Sequence, residues 1–293
     1  MPEGHTIHAL AARLDRAFAG GPVRASSPQG RFAAGAALLD GKELRGSQAW
    51  GKHLFCELEA DHWLHVHLGL IGVFPVVPLA AELRGADPGR VPVTGTVRLR
   101  LLNQTHVADL RGPMTCAVRT PEEVATVEAR LGPDPLRPEA DPGTGWQRVR
   151  RSRKPVAELL LDQRVLAGVG NVYRCEVLFR NRVDPYRPGR ELRESTWWAL
   201  WQDLVTLLPL GVAFGQILTM DDQVTHARAE IAAGGVATYT ASLTGERLGE
   251  HFERRFFVYQ RTGEPCRQCG SRVRSAPLAG RTLYWCGRCQ RRR

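Results

Sequence analysis

The chain has 293 residues, 43% of them hydrophobic and 24% charged, with a formal net charge of +10. That is the balance of a globular protein with a real core, and its length suggests about two domains. It excludes a membrane-spanning helix, since no run reaches the roughly 18 apolar residues one needs.

The opening MPEGHTIHAL lacks the basic-then-apolar layout of a secretory signal, so a cytoplasmic location is expected. A basic excess of this size suits a polyanionic partner, nucleic acid first. Charge alone also fits a basic protein with no such partner.

Residues 7–19 (IHALAARLDRAFA) place Ile7, Leu10, Ala11, Leu14 and Phe18 at helical spacing, which predicts an amphipathic helix. From about 22 to 118 the texture changes. KHLFCELEA, HWLHVHLGL, GTVRLRLLN and THVADL are short, apolar or β-branched, and punctuated by Gly, Pro and Asp; they predict strands of an antiparallel sandwich or barrel. A helix is expected over 121–131, with Thr120 as N-cap and Glu122 and Glu123 in its first turn. The Pro, Gly and Asp of LGPDPLRPEADPGTG predict a linker at 132–145. Helices are expected at 154–162, 171–180 and 191–208. The periodicity of 215–252 is too weak to place. RRFFVYQR, from 254, reads as a strand, and the chain ends in a cysteine cluster.

Of the seven cysteines, Cys56, Cys116 and Cys175 are scattered and read as buried thiols. The other four form Cys266-x2-Cys269-x16-Cys286-x2-Cys289. Each C-x2-C turn presents two thiolates to one ion, and two turns complete a tetrahedral S4 shell of the zinc-ribbon type. Four protein ligands leave no open position, so this single zinc is structural. Arg272, Arg274, Arg281 and Arg288 decorate the finger and suit phosphate contacts; the Arg291–Arg293 tail reads equally as a solvated end.

Pro2 follows the initiator methionine, and its small side chain permits methionine removal, which would leave a secondary amine. An α-amine has a reference pKa near 7.7–8.0 against about 10.4 for lysine, so roughly a tenth is free base at pH 7. Its attack on a sugar C1′ gives an iminium that has no N–H proton to lose. That cation is an electron sink, which acidifies the C2′ hydrogen and favours loss of the 3′ phosphate. Glu3 is placed to move a proton to the ring oxygen. Met-Pro-Glu by itself is also a common, meaningless start.

Spread along nearly its full length, this sequence resembles the Fpg/Nei (formamidopyrimidine-DNA glycosylase / endonuclease VIII) family. The residues that carry the likeness are MPEGHTIH at the start, AWGKHLF, HVHLGLIGVF, LLLDQRVLAGVGNVYRCEVLF at a helix–two-turn–helix, and GEPCRQCG with GRTLYWCGRCQ at the zinc finger. MPEGHT and DLRGP look most like the actinobacterial Nei2 branch. The resemblance implies a role for Pro2 as nucleophile and Glu3 as proton shuttle. It implies Lys52 as a second cation near the scissile phosphate or a proton donor in β-elimination, and Arg281 as a contact to the phosphates flanking the lesion that assists δ-elimination; Lys52 also reads as a surface lysine at a strand end, and Arg281 as one of several solvated arginines. It places Gly170 and Asn171 at a helix start that offers N–H groups to phosphate, with Asn171 also readable as the helix cap. Leu70 matches a position that fills the gap left by a flipped base, and reads equally as a core strand residue; Arg111 matches one that faces the orphaned base.

The expected fold is α+β and two-lobed: an N-terminal β-sandwich with flanking helices, then a helix–two-turn–helix domain and a zinc β-hairpin. The expected division is 1–131, a linker at 132–145, 146–214, an insert at 215–252, and a finger at 253–293. The resemblance implies a monomeric base-excision-repair enzyme, cytoplasmic and nucleoid-associated, acting on damaged single- or double-stranded DNA, with DNA in the cleft between lobes. It would remove oxidised bases, pyrimidines favoured, and cleave the strand by β- and then δ-elimination. Two alternatives stay open at this point: an abasic-site lyase with weak base excision, and a non-catalytic binder of damaged DNA.

Overall fold

The computed structural model describes residues 2–85, 88–234 and 251–291. These form two compact units, one ending at Ala129 and the next beginning at Arg130.

The first unit opens with helix α1 (Gly4–Phe18), three residues earlier than its periodicity suggests. Ile7, Leu10, Ala11, Leu14 and Phe18 are all buried, as the spacing requires. The strands are β1 (Gly21–Pro22), β2 (Arg24–Ser26), β3 (Glu43–Trp50), β4 (His53–Leu58), β5 (His62–His67), β6 (Val76–Pro78), β7 (Leu99–Leu102), β8 (His106–Leu110) and β9 (Thr115–Arg119), with helix α2 (Ala33–Leu39) after β2. They make a five-stranded sheet, order β1-β3-β4-β5-β9, and a four-stranded sheet, order β2-β7-β8-β6. All named pairs are antiparallel. Leu54, Cys56, Leu64 and Val66 of the first sheet share one core with Leu99, Leu101, Ala108 and Leu110 of the second. Alternation sends the opposite set of the first sheet (His53, Phe55, His65 and His67) to its other face. Helix α3 (Pro121–Glu128) has the expected cap, a reciprocal box in which Thr120 Oγ1 accepts from Glu123 N and Glu123 Oε2 accepts from Thr120 N.

The second unit contains helices α4 (Pro142–Val149), α5 (Val156–Leu159), α6 (Asn171–Arg180), α7 (Glu194–Phe214) and α8 (Asp221–Ala232), then the hairpin β10 (Arg274–Leu278) with β11 (Arg281–Trp285). Its core gathers Tyr173, Phe179, Trp197, Leu204 and Leu208 with Val273, Leu283 and Cys286 of the finger. Residues 132–145 are folded in: Gly132, Pro133, Asp134 and Pro135 are buried, and a Cβ on Gly132 would lie 2.6 Å from the Val165 carbonyl carbon.

Three local expectations are corrected, and one unplaced stretch gains structure. The helix expected over 154–162 is only the single turn of α5. The one expected to stop at 208 continues to Phe214 through Pro209, held by buried Leu207, Leu208, Leu210 and Phe214. The stretch 215–252 is partly helical, as α8; its residues 235–250 lie outside the described ones. The segment from 254 is not a strand. The N–H groups of Phe257, Val258 and Tyr259 all donate to the buried Glu176 carboxylate on α6, at 2.8, 2.9 and 2.9 Å, and Thr219 Oγ1 donates to it at 2.7 Å. A segment whose amides end on one carboxylate has none left for a strand partner.

Candidate active site and zinc centre

Pro2 is half-buried immediately before α1. Glu3 is the N-cap residue of that helix, extended (φ −116°, ψ 179°), and its side chain makes no capping bond. It is fully buried, at 0% exposure. A carboxylate at the start of a helix lies at the positive end of the helix dipole, which favours its ionised form. The next side chain but one, His5, is also buried, and burial pushes its pKa down to about 3, leaving a neutral ring.

Lys52 sits with Gly51 in the two-residue turn that joins β3 to β4; Gly51 has φ +59°, as such turns require. Its charge reaches His53 and His67, whose pKa values it helps to lower. His53 and His67 are cross-strand partners, with ring centroids 4.8 Å apart. His53 Nδ1 and His65 Nε2 share a hydrogen bond of 2.9 Å. Gly69 N donates to His67 Nδ1 at 3.2 Å, so a neutral His67 carries its proton on Nε2. Burial first, and then the neighbouring charges, push His53 down to about 3 and His65 to about 4.

These rings fold neutral, whereas the unfolded chain takes up protons below about pH 6.5. Their stabilising effect is complete above that pH and is lost as pH falls toward 4, each ring contributing on the order of 1.4 kcal/mol per pH unit. The thermal midpoint should therefore drop steeply from pH 6.5 to 4. His53→Phe should flatten that slope, as followed by circular dichroism.

Leu70 does not belong to the core. It follows β5 in a turn and is 48% exposed; beside it Ile71 is 84% exposed, and Met114, before β9, is 71% exposed. The turn is built for this display. A Cβ on Gly72 would meet the Leu68 carbonyl oxygen at 2.3 Å, and Met114 Cβ lies 3.1 Å from where a Gly69 Cβ would stand. Three apolar side chains are thus held into solvent by tight backbone, an unfavourable surface that needs an apolar partner. The sequence reading missed Ile71 and Met114; the signal was a glycine on either side of Leu70-Ile71. Arg111 flanks the same tip, its backbone bridged to Val73.

In the second unit the cap of α6 is Gly170, φ −117°, and not Asn171. Asn171 is 5% exposed, and its Nδ2 donates to the Thr282 carbonyl at 2.9 Å. Its Oδ1 accepts from Arg174, a fully buried arginine whose Nη2 also reaches Thr282 O. Thr282 adjoins Arg281, which is exposed at the start of β11 after the Ala279–Gly280 turn. The helix start is therefore bonded to the strand that carries the finger arginine.

Cys266, Cys269, Cys286 and Cys289 converge, with all four sulfurs within 4.8 Å of one another. Cys266 and Cys289 lie 3.8 Å apart, Cys269 and Cys286 3.5 Å. Zn–S bonds of about 2.3 Å in a tetrahedron place sulfurs about 3.8 Å apart, so the cluster fits one zinc ion. Cys56 and Cys175 are buried elsewhere and Cys116 is half-buried. Among the described residues, no helix is long and apolar enough to cross a membrane.

The chain matches the formamidopyrimidine-DNA glycosylase N-terminal domain over residues 1–116, the H2TH domain of the same enzymes over 131–222, and the zinc finger found in FPG and IleRS over 263–292. It is 46% identical to endonuclease 8 1 of Mycobacterium tuberculosis over 291 residues, covering 99% of this chain and 100% of that one. It is 32% identical to the formamidopyrimidine-DNA glycosylase of Thermus thermophilus, over 87% of this chain and 85% of that one. Among solved structures, MutM (Fpg) from Thermus thermophilus superposes with a TM-score of 0.69 at 27% identity, covering 99% and 98% of the two chains. Lactococcus lactis Fpg, solved with DNA containing N7-benzyl-Fapy-dG, gives 0.75 at 21% identity over 99% and 100%, a likeness of fold. A sandwich lobe, a helix–two-turn–helix and a four-cysteine finger in this order define a zinc-finger DNA glycosylase. The chain belongs to the Fpg/Nei family.

Proposed function

We propose that this protein is a bifunctional DNA glycosylase and AP lyase that removes oxidised bases, pyrimidines above others, with the Pro2 amine as its nucleophile. The observation that carries the reading is the fully buried Glu3 carboxylate next to the half-buried Pro2. Once methionine is removed, the Pro2 nitrogen forms a bond to C1′ and the glycosidic bond breaks, the base leaving with a proton. Glu3 delivers a proton to O4′ as the sugar ring opens to the iminium. Loss of a C2′ proton then breaks the C3′–O bond, and a second elimination breaks the bond on the 5′ side.

Lys52 and Arg281, each presented on a tight hairpin turn, hold the flanking phosphates. Gly170 and Asn171 offer the N–H groups of the α6 start to the backbone, and Asn171 also fixes the strand bearing Arg281. Leu70, with Ile71 and Met114, fills the gap left by the flipped nucleotide, and Arg111 faces the orphaned base. The enzyme acts as a monomer.

Borohydride trapping tests this directly. A lesion panel in single- and double-stranded DNA should give a covalent adduct mapping by mass spectrometry to the peptide that begins at Pro2. An adduct on Lys52, or none, would overturn the nucleophile. An adduct with abasic DNA but with no base-containing lesion would make the protein a lyase only.

A further inference from the structure

Behind the exposed tip lies a buried ion relay. Arg100 and Asp109, both buried on neighbouring strands β7 and β8, are joined twice: Arg100 Nε donates to Asp109 Oδ1 at 2.7 Å and Nη2 to Oδ2 at 2.9 Å. Arg100 also donates to the carbonyls of Val91 and Pro92, both at 2.8 Å, so its guanidinium is fixed on every side. Asp109 Oδ2 accepts a further bond from Arg111 Nη2 at 3.0 Å, and Arg111 Nε donates to the Thr94 carbonyl at 3.0 Å. Among the described residues, Arg111 Nη1 has no partner, and the side chain is about one-third exposed.

Two arginines thus share one buried carboxylate, and only the outer one reaches solvent. A stability role asks for one arginine on one aspartate. The second, Arg111, follows the end of β8, next in sequence to Gly112 and bridged through its backbone to Val73, which closes the turn where Leu70 and Ile71 stand exposed. An arginine free to rotate loses rotamer entropy when a ligand fixes it. One already clamped at two nitrogens loses less.

We propose that Asp109, anchored by Arg100, is a positioning residue for recognition of the base opposite the lesion. It sets the guanidinium plane of Arg111 beside the apolar tip, with Nη1 turned to the orphaned base. The inference rests on the reading of Arg111 as the residue facing that base.

Asp109→Asn keeps the shape and removes the charge that both arginines share. Single-turnover excision of one lesion would be measured in single-stranded DNA and in duplexes with each of the four opposite bases. The ratio of duplex to single-strand rate is expected to fall about tenfold, with the spread between opposite bases narrowing; in steady-state runs on the same duplexes KM rises more than kcat falls. A role confined to folding would lower both substrates together and leave the ratio at its wild-type value, which would overturn the proposal. Arg111→Ala separates the two layers. If it leaves the ratio at the wild-type value, the reading of Arg111 fails. If it lowers the ratio and Asp109→Asn does not, the positioning role alone fails. Should Asp109→Asn unfold, Arg100→Met with Asp109→Leu removes the buried charges together, a replacement that interiors often tolerate, and the same ratio is read.

Discussion

Cys286→Ser is expected to release the zinc, melt the finger and lower affinity for lesion DNA by on the order of 100-fold, while the first unit stays folded. The segment cannot hold itself together otherwise. Its regular structure is one two-stranded hairpin, β10–β11, and such hairpins are at best marginal in water. Zinc contributes roughly 10–16 kcal/mol of apparent binding energy in comparable fingers, far more than the buried side chains Val273 and Leu283 supply. Cys286 is the buried ligand at the end of β11, and its N–H is held by Gln290 Oε1. Losing it opens the shell at the strand that carries Arg281 and removes the anchor for Asn171. The sandwich core contains no finger residue, so it should keep its own transition. Zinc released to a chromophoric chelator, two-step thermal unfolding and fluorescence anisotropy with lesion duplex would check the three parts. Normal DNA binding by the zinc-free variant would show that the finger does not carry the DNA contacts.

What the sequence made legible were features written in a local period or a fixed spacing. The α1 face repeats every three to four residues, the β4 and β5 segments alternate, and the cysteine pairs are a short-range motif. What it hid depended on partners far along the chain. Phe257, Val258 and Tyr259 look like a strand because nothing nearby betrays that a carboxylate on α6 collects their amides. Asn171 looks like a cap until Thr282 is brought beside it, and its amide then faces the finger. Nothing in DLRGP signals the exposure of the Met114 that follows it, because that exposure comes from packing over Gly69 on another strand connection. The helix α8 did carry a local sign, the Asp221–Asp222 pair in its first turn, too weak on its own against a poor apolar period.

Glu3→Gln is expected to lower the rate of base excision by about 10²- to 10⁴-fold, the usual contribution of a positioned proton donor or acceptor. The change is nearly isosteric at a fully buried site, and circular dichroism checks that the fold is kept. Gln cannot give or take the proton that ring opening requires. The effect must therefore depend on the substrate. With an intact nucleoside the sugar ring is closed, and departure of the base and opening of O4′ both lean on Glu3. With a preformed abasic site part of the sugar is already an open aldehyde, which the Pro2 amine can attack unaided. Strand cleavage at abasic DNA should then fall far less than excision does. Single-turnover rates on the same duplex, with the lesion base present or already removed, give that comparison. Equal losses on the two substrates would mean that Glu3 serves the amine or the elimination and not the ring oxygen. No loss on either would mean that the buried carboxylate has no part in the chemistry.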